Sequence, residues 1–454
     1  MKKLLYYFLL INFFPLFAQT LYFPPNNNST WESISPASLG WNTGQLTTLQ
    51  NLLLQKKTKA FIILKDGKIA VEWYFGAFNK DSLWYWASAG KTVTAFLIGK
   101  AQEEGLLKIS EPSSKYLGKG WTIAPETKED LITIRHQLTM TSGLNDGIGD
   151  DDCTLKSCLQ YKTDAGTRWA YHNAAYTKLR DVIESAANTS ENLYTYSRLT
   201  SKIGMNGSWF KSGYNYVFYS NARSMARFGL LALNNFVWDK EVLLSDQNYI
   251  SEMTNTSQQL NKSYGYLWWL NGKGSYMLPK VQFVFNTNLI PNAPDDLIAA
   301  LGKNDQKIYV VKSRGLVVIR MGDAADNSKL ALSSFDNELW GEIIKVVDNS
   351  SSAAEQNTFP VEFKLEQNYP NPFNPETTIS YTIQSDVKGE TINVTLKVYD
   401  VLGREIATLV NEFKNPGSYN SQFSIRNSEL PSGVYFYQLR AGSFTETKKL
   451  VLMK

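Results

Sequence analysis

FIILKDGKIAVEWYFG, residues 61 to 76, reads as two strand-like runs folded about Asp66-Gly67, a dipeptide that strongly marks a β-hairpin. A second stretch, DQKIYVVKSRGLVVIRMG at 305 to 322, has the same form and turns near Ser313-Arg314-Gly315. Helical signals lie between the two. From Ser88 an apolar-periodic run reaches Glu104 and stops at Gly105, and RSMARFGLLAL at 223 to 233 puts Met225, Phe228, Leu231 and Leu233 on an inward face. Hairpins at both ends with helices between predict an antiparallel sheet whose first and last strands come together. That is an α+β fold rather than a doubly wound parallel sheet.

The chain has 454 residues, enough for two or more domains. Lys2 and Lys3, the apolar run Leu4 to Phe17 and the small residue Ala18 have the layout of a secretory signal peptide, so residues 1 to 18 are expected to be removed. No other segment approaches the roughly 20 apolar residues of a membrane span. The expected mature protein is exported. The net charge of +4 falls to about +2 without Lys2 and Lys3, and no dense Lys/Arg cluster suggests a nucleic-acid partner.

Residues 30 to 347 carry the mixed texture. A small, polar stretch from 348 to 362 reads as a linker. From Phe363 to Lys454 short alternating runs are separated by turn residues, predicting an all-β, Ig-like sandwich of some seven strands. QNYPNPFNPETTISY (367 to 381), VYDVLGREIATLV (398 to 410), LPSGVYFYQLRAG (430 to 442) and the basic end TKKLVLMK closely resemble the C-terminal sorting domain of type IX secretion cargo. The resemblance implies a type IX secretion machinery as partner, and a route through the periplasm to the cell surface or the medium. A carbohydrate-binding sandwich is the plain alternative.

The chemistry centres on WYWASAGKTVTAF, residues 84 to 96. A phosphate loop would need glycine five positions before Gly90, where Tyr85 stands. A nucleophile and base fit better. On a helix Ser88 and Lys91 share a face, in a first turn whose free N–H groups and dipole favour negative charge. Lys91, crowded by apolar neighbours, is expected to have a lowered pKa and to accept the serine proton. Ala87, Ala89 and Gly90 would leave room for substrate. The plain alternative is a capping serine followed by a surface lysine. Downstream, GTRWAYHNAAYTKL (166 to 179) offers the phenol of Tyr171 and the amide of Asn173 on one loop before a helix, the phenol able to relay protons if a lysine cation lowers its pKa.

Ser-x-x-Lys, Tyr171-x-Asn173, LITIRHQLTMTSGL (131 to 144) and the GTRWAYHN context together resemble the serine β-lactamase and penicillin-binding-protein family, in its class C branch with family VIII-type esterases. The resemblance implies an antiparallel sheet flanked by helices, with a helical subdomain. It implies Ser88 as acylated nucleophile, Lys91 as base, Tyr171 as proton relay, and Asn173 as holder of Lys91 and the substrate amide. The oxyanion hole would join the Ser88 N–H to one from the last core strand. Tyr219-Ser220-Asn221 is a rival Tyr-x-Asn that lacks the Gly-Thr-Arg-Trp context, and it reads as structural.

The family's Lys-Thr-Gly is replaced here. ALGKNDQKIYVV offers Lys303-Asn304-Asp305 in its place, or Gly302 if the alignment slips, with Gln306 supplying the strand N–H on the first alignment. Asp305 facing the cleft, on the same side as Lys303, would repel a substrate carboxylate. That predicts esters or neutral amides as better substrates than β-lactams. No G-x-S-x-G elbow supports a triad on His172, and His172 and His136 read as structural. Cys153 and Cys158 form a local disulfide or remain two thiols, and no metal or cofactor is expected. The expected activity is hydrolysis through a Ser88 acyl-enzyme. The alternative is a non-catalytic cell-wall or peptide-binding protein on the same fold.

Overall fold

The computed structural model describes residues 21–27, 30–326, 331–348, 363–384, 391–414, 417–425, 430–442 and 444–453. The expected signal peptide and all but the first residue of the expected linker lie outside them.

In chain order the main elements of the first part are helix α1 (Leu46–Gln55), strands β1 (Thr58–Lys65) and β2 (Lys68–Tyr74), and helices α2 (Lys91–Glu103), α3 (Asn173–Ala187) and α4 (Ala222–Leu233). Strands β3 (Trp269–Leu270), β4 (Leu297–Gly302), β5 (Gln306–Val311) and β6 (Leu316–Gly322) follow, then helix α5 (Ser334–Val347). The six strands form one sheet in the order β2-β1-β6-β5-β4-β3, and every neighbouring pair is antiparallel.

Both hairpins turn where the sequence puts them. Lys65 pairs with Lys68 across Asp66 and Gly67, which have φ of 49° and 85°. Val311 pairs with Leu316, and Gly315 is left-handed at φ 58°. The first and last strands do come together, with Ile62 opposite Ile319 and Ile63 opposite Val318. Helix α4 packs on this seam: a Cβ at Gly229 would come within 2.4 Å of Val317. The sheet and its helices share one apolar core, in which Ile62, Val93, Phe228 and Ile319 are fully buried.

The strand next to the Ser88 turn is β4, not the last core strand. β6, the last strand in the chain, lies in mid-sheet between β1 and β5, while the expected candidates Gly302 and Gln306 end β4 and begin β5. Beyond α5 the described chain is all β. Two sheets of three and four strands, all antiparallel, hold a separate core that includes Ile379, Leu396, Tyr437 and Leu450.

Candidate active site

Ser88 does not begin an α-helix. Residues Ala87–Gly90 form a 3₁₀ turn that runs into α2 at Lys91, with Ala87 left-handed at φ 47°. Ala89 and Gly90 serve packing, while Ala87 is half-buried. Ala89 is fully buried, and a Cβ at Gly90 would sit 3.3 Å from Phe218. Behind the turn stands Gly302, the last residue of β4. Its Cβ, if it had one, would lie 2.3 Å from the Trp86 carbonyl and 3.0 Å from the Ala89 nitrogen. Only glycine lets the strand end approach the serine turn this closely.

Lys91 is 5% exposed. Its ammonium lies 3.8 Å from the centre of the Tyr176 ring and 5.4 Å from that of Tyr171. Burial lowers its pKa to about 7, against the opposing pull of Asp152 and then Asp151. Near neutral pH about half of Lys91 is therefore a free amine, as a base must be.

Tyr171 is buried, and its hydroxyl faces the Ser88 side chain closely enough for Ser88 to lower its pKa. Its ring stacks on Trp269 of β3, with centroids 6.0 Å apart. Trp169 and Tyr264 close the box at 6.4 and 6.2 Å. The expectation that a lysine cation lowers the Tyr171 pKa is corrected. Burial raises it, Ser88 pulls it down, and Asp152 adds a further rise. Tyr171 is therefore a neutral phenol, able to pass a proton on but not to hold a charge.

Asn173 is the first residue of α3, and its Oδ1 is buried without a hydrogen-bond partner. The expected Asn173–Lys91 hydrogen bond is absent among the described contacts, because Lys91 lies over Tyr176 instead. His172 caps α3, its Nδ1 accepting from the Ala175 N–H at 3.3 Å, and burial lowers its pKa. His136 pairs with Thr133 in a capping box. The rival motif is structural: the Asn221 side chain caps α4 through the Ser224 N–H at 2.8 Å, and Ser220 accepts from the Trp86 indole at 2.8 Å.

The stretch after Gly302 departs most from expectation. Lys303 is exposed and Asn304 donates to the Tyr85 hydroxyl at 2.8 Å. Asn304 and Asp305 are both left-handed, at φ 59° and 60°. Strand alternation therefore fails here, and Asp305 turns into the interior, fully buried. It accepts from Ser333 at 2.7 Å and pairs with Lys307 at 3.1 Å, not with Lys303. Gln306 is also buried. Its Nε2 donates to the carbonyls of Asn304 and Gly322 at 2.8 and 2.7 Å, which staples the turn to β6. Neither side chain meets the cleft.

Of the loop opposite, sequence reading noted the two cysteines but gave the acidic run before them no role. Cys153 and Cys158 are joined by a disulfide, which anchors the run Asp150-Asp151-Asp152. The Asp151 carbonyl accepts from the Ala174 N–H at 3.1 Å, holding the loop against the start of α3 beside Asn173. A cavity of about 440 Å³ lined by Leu278, Val281, Leu332, Tyr369 and Phe373 lies elsewhere and does not include Ser88.

The chain matches the beta-lactamase family model over residues 53–321, and the secretion system C-terminal sorting domain model over residues 367–453. An uncharacterized protein of Alkalihalophilus pseudofirmus is 21% identical over 295 residues, covering 57% of this chain and 81% of that one. Among solved structures, a provisionally assigned 6-aminohexanoate-dimer hydrolase from Bacillus anthracis superposes with a TM-score of 0.53 at 18% identity, covering 71% of this chain and 87% of that one. The octameric penicillin-binding protein homologue from Pyrococcus abyssi gives 0.51 at 14%, covering 89% and 99%. At these identities the structures establish the fold. The C-terminal match marks the chain for secretion or the cell surface, and no helix among the described residues is long and apolar enough to cross a membrane.

Proposed function

Because this chain belongs to the beta-lactamase family, we propose that it cleaves an ester or amide bond through an acyl-enzyme on Ser88, taking esters and neutral amides ahead of β-lactams. One observation carries the reading. A buried lysine with a pKa of about 7 and a neutral tyrosine converge on one half-exposed serine.

In this mechanism the free amine of Lys91 takes the Ser88 proton, directly or through the Tyr171 hydroxyl. The Ser88 Oγ bonds to the substrate carbonyl carbon while the carbonyl π pair moves onto oxygen. The Ser88 N–H and the backbone at the Gly302 end of β4 would receive that oxyanion. Collapse breaks the bond to the leaving group, which departs with the proton held by Lys91, relayed by Tyr171. Water then attacks the acyl-enzyme by the same relay in reverse and restores the serine.

The preference for esters rests on the leaving group. An alkoxide or phenoxide needs less exact protonation than an amine, and the family's Lys-Thr-Gly is replaced here by Lys303-Asn304-Asp305, or met only by Gly302 if the alignment slips. A buried Asp305 contributes nothing to it.

Fluorophosphonate labelling tests the proposal. The wild type should take one label on Ser88, and Ser88→Ala should lose both the label and turnover of a p-nitrophenyl ester by several orders of magnitude. A folded Ser88→Ala protein that still labels and turns over would overturn it. Absence of label on the wild type would favour a binding protein on the same scaffold.

A further inference from the structure

The loop that faces Lys91 and Tyr171 is acidic, and its charges are not equivalent. Asp146 is paired with Arg168 at 2.7 Å, and Asp151 with Lys280 at 3.3 Å. Asp152 has no ion pair among the described residues, and its Oδ1 is shut away from water with no hydrogen-bond donor. Its neighbours fix where it sits. The adjacent Asp151 carbonyl is bonded to the second residue of α3, and the adjacent Cys153 is bridged to Cys158. Asp152 therefore stands over the start of α3, where Asn173 also has a buried, unpartnered Oδ1. Its charge is felt at both Lys91 and Tyr171.

A carboxylate oxygen held out of water with neither a donor nor a counter-charge is costly unless something supplies one. Lys91 cannot supply it in the reactive state, because a base must be neutral to take the serine proton. When the enzyme is ready to react, the cleft has an acceptor-only, negative wall made by Asp152 and the Asn173 Oδ1.

We propose that Asp152 is a specificity-determining residue that receives an ammonium group of the substrate, so that the enzyme prefers cationic esters or amides and rejects carboxylates. This rests on the Ser88 hydrolase reading and names the class of substrate within it. A substrate ammonium would set its positive charge against the Asp152 carboxylate and the Asn173 Oδ1, the two acceptors left without a donor. A substrate carboxylate would meet like charge in a partly dry site, a repulsion that adds to the discrimination.

The test compares p-nitrophenyl esters of γ-trimethylammoniobutyrate, of its isostere with carbon in place of nitrogen, and of adipate. Each is assayed on the full chain at a pH above the Lys91 titration. For the wild type, kcat/KM should fall from cation to neutral to anion by about tenfold or more per step at low salt, narrowing as salt is added. In Asp152→Asn the three values should close to within about threefold of each other. Ratios within one variant cancel any common loss of turnover. Asp151→Asn, which removes a charge already paired with Lys280, should keep the wild-type order.

Equal wild-type values for the three esters, or the wild-type order retained in Asp152→Asn, would overturn the assignment while Ser88 labelling still stood. Failure of all three esters together with absent labelling would instead bring down the hydrolase reading, and this one with it.

Discussion

The Lys91 ammonium rests 3.8 Å from the centre of the Tyr176 ring, one turn along α3 from Asn173. An aromatic face is a weaker partner than a carboxylate, worth about 2 kcal/mol to a desolvated cation. The ring therefore holds Lys91 in place without fixing its proton. That is the requirement for a lysine that must give up its charge at neutral pH.

The pH profile follows with its sign. Only neutral Lys91 accepts the serine proton, so kcat/KM for a neutral ester should rise with pH and reach half its plateau near pH 7. Asp152 raises the Lys91 pKa, so Asp152→Asn should move this limb to lower pH. A rate independent of pH between 5 and 9 (roughly two units on either side) would remove Lys91 as the base.

Tyr171→Phe keeps the ring stacked on Trp269 and removes only the hydroxyl that meets Ser88. The melting temperature should change little, while kcat falls by about 10²- to 10⁴-fold. Tyr219→Phe, in the motif whose Asn221 caps α4, should keep most activity. The opposite pattern of rates would move the relay to Tyr219.

Gly302→Ala introduces a Cβ 2.3 Å from the Trp86 carbonyl, a backbone atom that cannot swing aside. The serine turn must shift, and a displacement of about 1 Å costs on the order of 100-fold in rate. Steady-state kinetics on the folded variant measure this. Activity within twofold of the wild type, roughly the scatter of such comparisons, would show that β4 does not position the turn.

Lys307→Met leaves Asp305 and Asp336 buried without their shared cation, which lies 3.1 and 2.8 Å from them. The loss of stability should be about 3–5 kcal/mol, read from urea unfolding. Lys303→Met, at an exposed side chain four residues before Lys307, should cost less than about 0.5 kcal/mol.

What could be read from the chain follows from how local each signal is. Asp66-Gly67 and Gly315 set turns within a few residues, so both hairpins and the closing of β1 on β6 were legible. Ser88 and Lys91 share one turn, and Tyr171 and Asn173 one loop end, so their convergence needed only a familiar spacing. Asp305 was misplaced because alternation presumes extended backbone, and Asn304 and Asp305 are both left-handed. Asp152 had no local signal. Its isolation depends on which acids Arg168 and Lys280 neutralise, and Lys280 is more than a hundred residues away.

The pairing of Ile62 with Ile319 also governs when this domain can exist. Strand β1 leaves the ribosome early, yet one of its two neighbours is the last strand of the sheet. Until β6 arrives, β2 and β1 are an isolated hairpin, which is marginal in water, and α4 has no β6 to pack against. Long-range pairing of this kind is slow to form because the loop must close before any contact rewards it. A nascent chain would therefore stay open through most of its synthesis, which suits a polypeptide marked for secretion. A chain stopped before Leu316 should leave no folded remnant, since it lacks the strand that joins its two halves.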